Sequence, residues 1–219
     1  MARKAEWVAL AVVVLSFALA VYFYPIMPDR MASHWNAQGL VDGYMDTFWG
    51  LFLMPIISFL LLGLFLLIPR IDPLKENIKI FRKYFDMFVV LMMVFLLYLF
   101  LLTIFWNLGS RFDFVLVIVP AFVALFYYVG ILTEHAKRNW FIGIRTPWTL
   151  SSDKVWAKTH KLGGKLFKLS ALVAAIGLFF EDYALWFVIA PVLLVVAYTI
   201  AYSYFEFQRE KKVKKRKRK

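Results

Sequence analysis

No cysteine occurs in the 219-residue chain. Disulfides, thiolate metal sites and cysteine nucleophiles are therefore excluded. Side-chain amides are scarce too, with two Gln and four Asn. Thermophiles avoid these residues, but so do membrane proteins in general, so the shortage does not by itself indicate a thermophile. Charge is missing from six long apolar runs, about 7–24, 48–68, 84–106, 112–132, 166–180 and 184–205, in which no charged residue lies deep inside. Asp86, Glu134 and Glu206 sit close to run ends. Ion-coupled carriers and proton pumps need intramembrane carboxylates or basic groups to carry the coupled charge, so this absence counts against a secondary transporter.

What is present is apolar surface. At 63% hydrophobic residues and a mean hydropathy of +0.71, the chain is too apolar for a soluble fold. Most runs are long enough to cross a hydrocarbon core of ~30 Å. The fifth is short, but Lys165 and Lys168 at its start can snorkel to the headgroups. The sequence predicts an all-α, multi-pass membrane protein with six helices in one bundle. Three hairpins are expected, over 1–68 (with an outer loop at 25–47), 69–132 and 166–206. An inner loop at 133–165 and a basic tail at 207–219 complete the chain. Arg3-Lys4, an apolar stretch and Ala18-Leu19-Ala20 imitate a secretory signal, yet the run continues to Tyr24, so a retained first helix is expected.

Lysine and arginine set the orientation. Twenty-four of the 26 fall at the N-terminus, in the loops after the second and fourth runs, or in the tail, leaving only Arg30 and Arg111 on the other side. Positive charge stays inside, so both termini are expected in the cytoplasm. The second, fourth and sixth runs share a pattern: an acidic residue before each (Asp46, Asp113, Asp182) and a proline within (Pro55, Pro120, Pro191). Three kinked helices around a common axis are one expectation from it.

Two loops are more than connectors. In the outer one, His34, Asn36, Asp42 and Asp46 offer polar groups, while Gly39 and Asp42-Gly43 supply turn geometry. One histidine with irregularly spaced carboxylates lacks the repeated spacing of a metal site, so a hydrogen-bonded structural loop is expected, with Trp35 and Tyr44 at the headgroups. In the inner loop, Lys154, Lys158, Lys161 and Lys165 share one helical face, and Val155, Trp156, Thr159 and Leu162 another. A short amphipathic helix lying flat on the inner leaflet is expected, stopped by Gly163-Gly164. Ser151, Ser152, Asp153 and His160 supply the residue types of a hydrolytic triad, but Ser152 and Asp153 are placed to cap that helix and His160 lies two turns on. Glu134, His135 and His160 leave a second possibility open, a polar site of a membrane enzyme or carrier acting on a lipid-soluble substrate. No cofactor or metal is implied.

The inner stretch Gly143-Ile144-Arg145-Thr146-Pro147-Trp148-Thr149-Leu150-Ser151-Ser152, with Val155-Trp156, Thr159-His160 and Gly163-Gly164, closely resembles the signature of the SdpI family. The outer stretch, with Pro28, His34, Asn36, Gly39, Asp42 and Gly43, is similar to the small domain of unknown function that begins such proteins. These are prokaryotic multi-pass plasma-membrane proteins named for immunity to a sporulation-delaying toxin. The resemblance implies a non-enzymatic immunity and signalling protein without a cofactor. It would sense or neutralise a membrane-active peptide outside and hold a small transcriptional regulator inside. Contact residues would then be His34, Asn36, Gly39, Asp42 and Gly43 outside, and Arg145, Thr146, Pro147, Trp148, Ser151, Ser152, Trp156, Thr159 and His160 inside. Arg145 leads for an acidic group on a partner, since its fork grips carboxylates. The lysine-rich tail suits anionic lipid at about 1 kcal/mol per residue, and nothing else indicates nucleic acid. The oligomeric state is not legible.

Overall fold

The computed structural model describes residues 4–217. Its helices are α1 (Lys4–Phe23), α2 (Thr47–Ile71), α3 (Lys75–Asn107), α4 (Phe114–His135), the single turn α5 (Pro147–Ser151), α6 (Asp153–Ile176) and α7 (Ala184–Lys217). All but α5 are long and apolar enough to cross a membrane. The molecule is a multi-pass helical membrane protein, as the apolar runs predict.

The helix starts explain two of the three recurring acidic residues. Asp46 accepts a hydrogen bond from the Trp49 N–H (3.2 Å), and Asp113 accepts one from the Leu116 N–H (3.0 Å). Each satisfies an otherwise orphaned donor at about 1 kcal/mol. Asp182 lies in a short 3-10 turn, Glu181–Tyr183. The prolines do not share an axis. Pro55 is buried and Pro191 half-buried, but Pro120 is exposed on the outside of α4. The break in helical geometry falls instead at Phe81 of α3 (φ −110°, ψ 16°).

The outer loop forms an antiparallel hairpin, β1 (Arg30–Trp35) with β2 (Val41–Asp46), its register irregular between Ala32 and Trp35. Asn107 at the end of α3 holds it down. Its Oδ1 accepts from the Ala32 N–H (2.8 Å) and its Nδ2 donates to the Ala32 carbonyl (3.0 Å). Met31 is buried against Ala20, Leu51, Phe100 and Ile104, so the hairpin is clamped by both hydrogen bonds and packing. Trp35 stacks on Phe114 (3.8 Å between ring centroids) and meets Trp106 edge-on.

At the other end, Arg82 of α3 reaches Glu6 of α1 (2.7 Å) and also pairs with Asp86 one turn on. The largest structural departure from expectation is α6. The amphipathic stretch is no separate surface helix, because α6 runs unbroken from Asp153 to Ile176 and carries it into the membrane. Gly163 and Gly164 do not stop the helix; they let neighbours approach. A Cβ on Gly164 would lie 2.6 Å from the Gly130 carbonyl and 2.3 Å from Glu134 Cγ, and one on Gly163 would lie 2.3 Å from Ile144. Small residues on facing helices bring backbones together where lipid supplies no hydrophobic drive, and α4 against α6 is the main interface of this half of the bundle.

Candidate functional site

The segment between α4 and α6 is an irregular, partly buried chain packed against the helix ends, and polar side chains satisfy much of its backbone. Asn139, fully buried, donates from Nδ2 to the carbonyls of Lys137 (2.8 Å) and Ile142 (2.9 Å), while its Oδ1 accepts from the Phe141 and Ile142 N–H groups. Asp72, just past α2, accepts from the Trp140 N–H (2.8 Å), and Asn77 donates to the Arg138 carbonyl (2.7 Å). Arg138 donates to the Leu150 carbonyl and pairs with Asp153.

Thr146 and Thr149 form a reciprocal capping box that starts α5, and Thr146 also meets Ser203 of α7 (3.0 Å). Pro147 occupies the first helical position, where its missing N–H costs nothing. Trp148 lies edge-on to Tyr204 of α7. Ser151 donates back to the Pro147 carbonyl. Ser152 caps α6 by accepting from the Val155 N–H, as expected, and donates to Glu210 of α7. Lys158 and Arg209 both pair with the buried Glu206. α7 is thus tied to the loop and to α6 along its inner extension, which continues helically through the basic tail to Lys217.

Trp156 donates from Nε1 to the Ala136 carbonyl (2.8 Å) and stacks on His160 (3.8 Å between centroids). His160 is almost wholly buried. Its Nε2 accepts from the Ile144 N–H (3.0 Å), which assigns the proton to Nδ1, facing the Trp156 carbonyl (2.9 Å). Both nitrogens are therefore committed to backbone. Thr159 is buried with its hydroxyl unpartnered.

Glu134 pairs with Lys168 (2.8 Å), and His135 donates from Nδ1 to the Ile131 carbonyl of its own helix (2.8 Å) while stacking on Tyr84. These two and His160 line one open hollow of about 1130 Å³ with Lys137, Lys161 and Lys165. Among the described residues, no group of three His, Cys, Asp or Glu is arranged to hold a metal. A separate cavity of about 450 Å³ lies between α2, α3, α4, α6 and α7, roofed by residues 141–145. Its lining is apolar apart from Thr133, Thr199 and Arg145. Arg145 is exposed and donates once, from Nη1 to the Trp140 carbonyl (2.8 Å).

In the outer hairpin, His34 pairs with Asp42 across the strands. Asn36 Oδ1 accepts from the N–H groups of Gln38 and Leu40 (both 3.0 Å), closing a turn in which Gly39 holds φ +71°. Gly43 packs so close to His34 that a Cβ would lie 2.8 Å from it. All five outer residues singled out from the sequence thus shape one hairpin.

Residues 135–203 match the SdpI/YfhL protein family. That segment is SdpI-like. Residues 11–59 match a domain of unknown function (DUF1648), which takes in most of α1, the hairpin and half of α2. Immunity protein SdpI of Bacillus subtilis (strain 168) is 24% identical over 210 residues, covering 94% of this chain and 97% of that protein. No solved structure gives a significant match. All nine inner residues named from the sequence lie in the SdpI-like segment; seven are held by hydrogen bonds or ring contacts, Thr159 is buried with no hydrogen-bond partner for its hydroxyl among the described residues, and Arg145 presents an exposed, largely uncommitted polar group. Asn139, also in that segment, and Asp72 and Asn77 outside it, were not singled out from the sequence. The available signal was the rarity of asparagine: all four use their side chains to hold non-helical backbone.

Proposed function

We propose that this chain is a membrane immunity protein that meets a membrane-active peptide at its outer hairpin. The observation that carries the proposal is the end-to-end similarity to Immunity protein SdpI, which spans both loops and all six membrane helices. The hairpin supplies a suitable surface. Leu40, Tyr44 and Met45 are exposed beside Arg30, His34 and Asp42, an amphiphilic face at the height where an amphiphilic peptide would settle. β1 is covered by Asn107, whereas β2 has no strand beyond it and offers a backbone edge to an extended peptide. On the inner side, capture of a small acidic regulator would use the exposed lysines of α6, Lys154, Lys161 and Lys165.

The test is survival of a toxin-sensitive bacterium expressing the chain. Wild type should raise the lethal dose of a secreted membrane-permeabilising peptide about tenfold, and Tyr44→Ala with Met45→Lys should remove that gain at equal membrane abundance. Absence of protection at confirmed membrane levels of the wild-type chain would reject immunity. Protection untouched by the hairpin changes would reject the hairpin as the contact.

A further inference from the structure

The cavity roofed by residues 141–145 has a composition unlike that of the larger hollow beside it. Phe65 of α2, Phe88 of α3, Phe167 of α6 and Val196 of α7 are among its walls, and no carboxylate lines it. The hollow at the helix ends mixes lysines with Glu134 and Asp153, whereas here one guanidinium stands at the rim of an apolar space. Arg145 engages one N–H with the Trp140 carbonyl; its other donors make no hydrogen bond among the described residues. Thr199, the deepest-buried polar wall residue, turns its hydroxyl back to the Val195 carbonyl and makes no demand on a ligand.

The opening faces sideways. Val196 and Ile200, on α7, are 42% and 44% exposed and lie on the flank of a membrane-spanning helix, where the surrounding solvent is lipid. At about 450 Å³ the space falls within the range of about 300–1,000 Å³ usual for small-molecule sites. A void bounded by phenylalanines and open to hydrocarbon takes up hydrocarbon, and a cation at its headgroup-side rim takes an anion. Basic pockets between membrane helices hold lipid headgroups for this reason.

We propose that this cavity binds one anionic phospholipid, its acyl chain between α2 and α7 and its phosphate on Arg145. The site is independent of the immunity reading and goes beyond it. It also accounts for the position of Arg145 in the loop: the backbone around it is fixed by Asn139 and His160, so the guanidinium is presented in a set place. A water-soluble acidic protein would use the same charge but leave the apolar space behind it empty, which is why the lipid is favoured.

The experiment is native mass spectrometry of the full chain in detergent, titrated separately with phosphatidylglycerol and phosphatidylcholine. One phosphatidylglycerol per chain should survive delipidation, with phosphatidylcholine retained at least about tenfold less, because its choline cation offsets the attraction of its phosphate to the Arg145 guanidinium. Arg145→Gln should lower phosphatidylglycerol retention by a similar factor, and Val196→Trp, at an exposed position that tolerates bulk, should lower it with Arg145 intact. Equal retention of both lipids, or both variants binding as wild type, would overturn the proposal. Displacement of the lipid by inorganic phosphate alone would also overturn it, as an anion site without a tail. Displacement by an Asp- and Glu-rich peptide at equal concentration would overturn it in favour of protein capture.

Discussion

Gly143 holds φ +107°, and a Cβ there would lie 2.4 Å from His160 Nε2, the atom that accepts the Ile144 N–H. An alanine would be strained at about 1–2 kcal/mol by backbone conformation alone and would also dislodge that hydrogen bond. Gly143→Ala should therefore lower the thermal midpoint of the detergent-solubilised chain, with a loss of about 2 kcal/mol or more; an unchanged midpoint would contradict this account of the loop. Thr159, next to His160 in the chain, provides the contrast. Its buried hydroxyl has no partner, so Thr159→Val removes a desolvated group and keeps the shape, and the same melt should show no loss or a small gain. At this scale the sequence was legible where a residue has one conformational use, as with Gly39 and the Ser152 cap. It was not legible for Asp72, because a hydrogen bond to backbone 68 residues away leaves no local pattern, nor for Asn139, whose bonds to residues 137–142 are local but tie together an irregular loop with no repeating spacing. His160 drew readings as a reactive group and as a contact residue, whereas its burial and its two backbone hydrogen bonds make it a fastener of the loop.

Among the elements, apolar runs identified all six membrane helices, since each must satisfy its own backbone in lipid and so declares itself by length. Two things escaped that logic. The strands of the hairpin are six residues each, and their alternation is broken where the register shifts around His34, so no period of two survives. In α6, Gly163-Gly164 after a lysine face has the composition of a helix end, yet tertiary contact overrides it. The pair sits in a helix whose other turns are anchored by the Ser152 cap at one end and lipid-spanning residues at the other. The physical distinction is what the missing Cβ makes room for, here the Gly130 carbonyl of α4. Gly164→Val should push α4 and α6 apart and cost about 1–3 kcal/mol, read as a lower midpoint and less monodisperse protein in size-exclusion chromatography. The same change at Gly63, whose added Cβ meets nothing within 4 Å, serves as the control, and equal damage at both sites would refute close packing as the cause.

For the whole molecule, the structure gathers the loops around 72, 77 and 138–145 and the Glu6–Arg82 pair at one end, and the hairpin with residues 107–114 at the other. The two arginines at the hairpin end are both held on aromatic faces. Arg111 lies 3.9 Å from the Trp106 ring centroid and Arg30 lies 5.9 Å from that of Tyr44. Arg30 and Arg111 aside, the sequence assigns its 24 other basic residues to the opposite side, so the retention of positive charge in the cytoplasm predicts that side to be inside. The lack of cysteine makes the orientation directly testable, since a single introduced thiol gives the only label. Gln38→Cys, exposed at the tip of the hairpin, should react with a membrane-impermeant maleimide on intact cells, and Lys161→Cys, exposed near the start of α6, only after permeabilisation. The reverse pattern would turn the hairpin inward and remove it as the place where an external peptide is met. The lipid site would survive that outcome, because a cavity between helices with a cation at its rim needs only a neighbouring leaflet, whichever one it is.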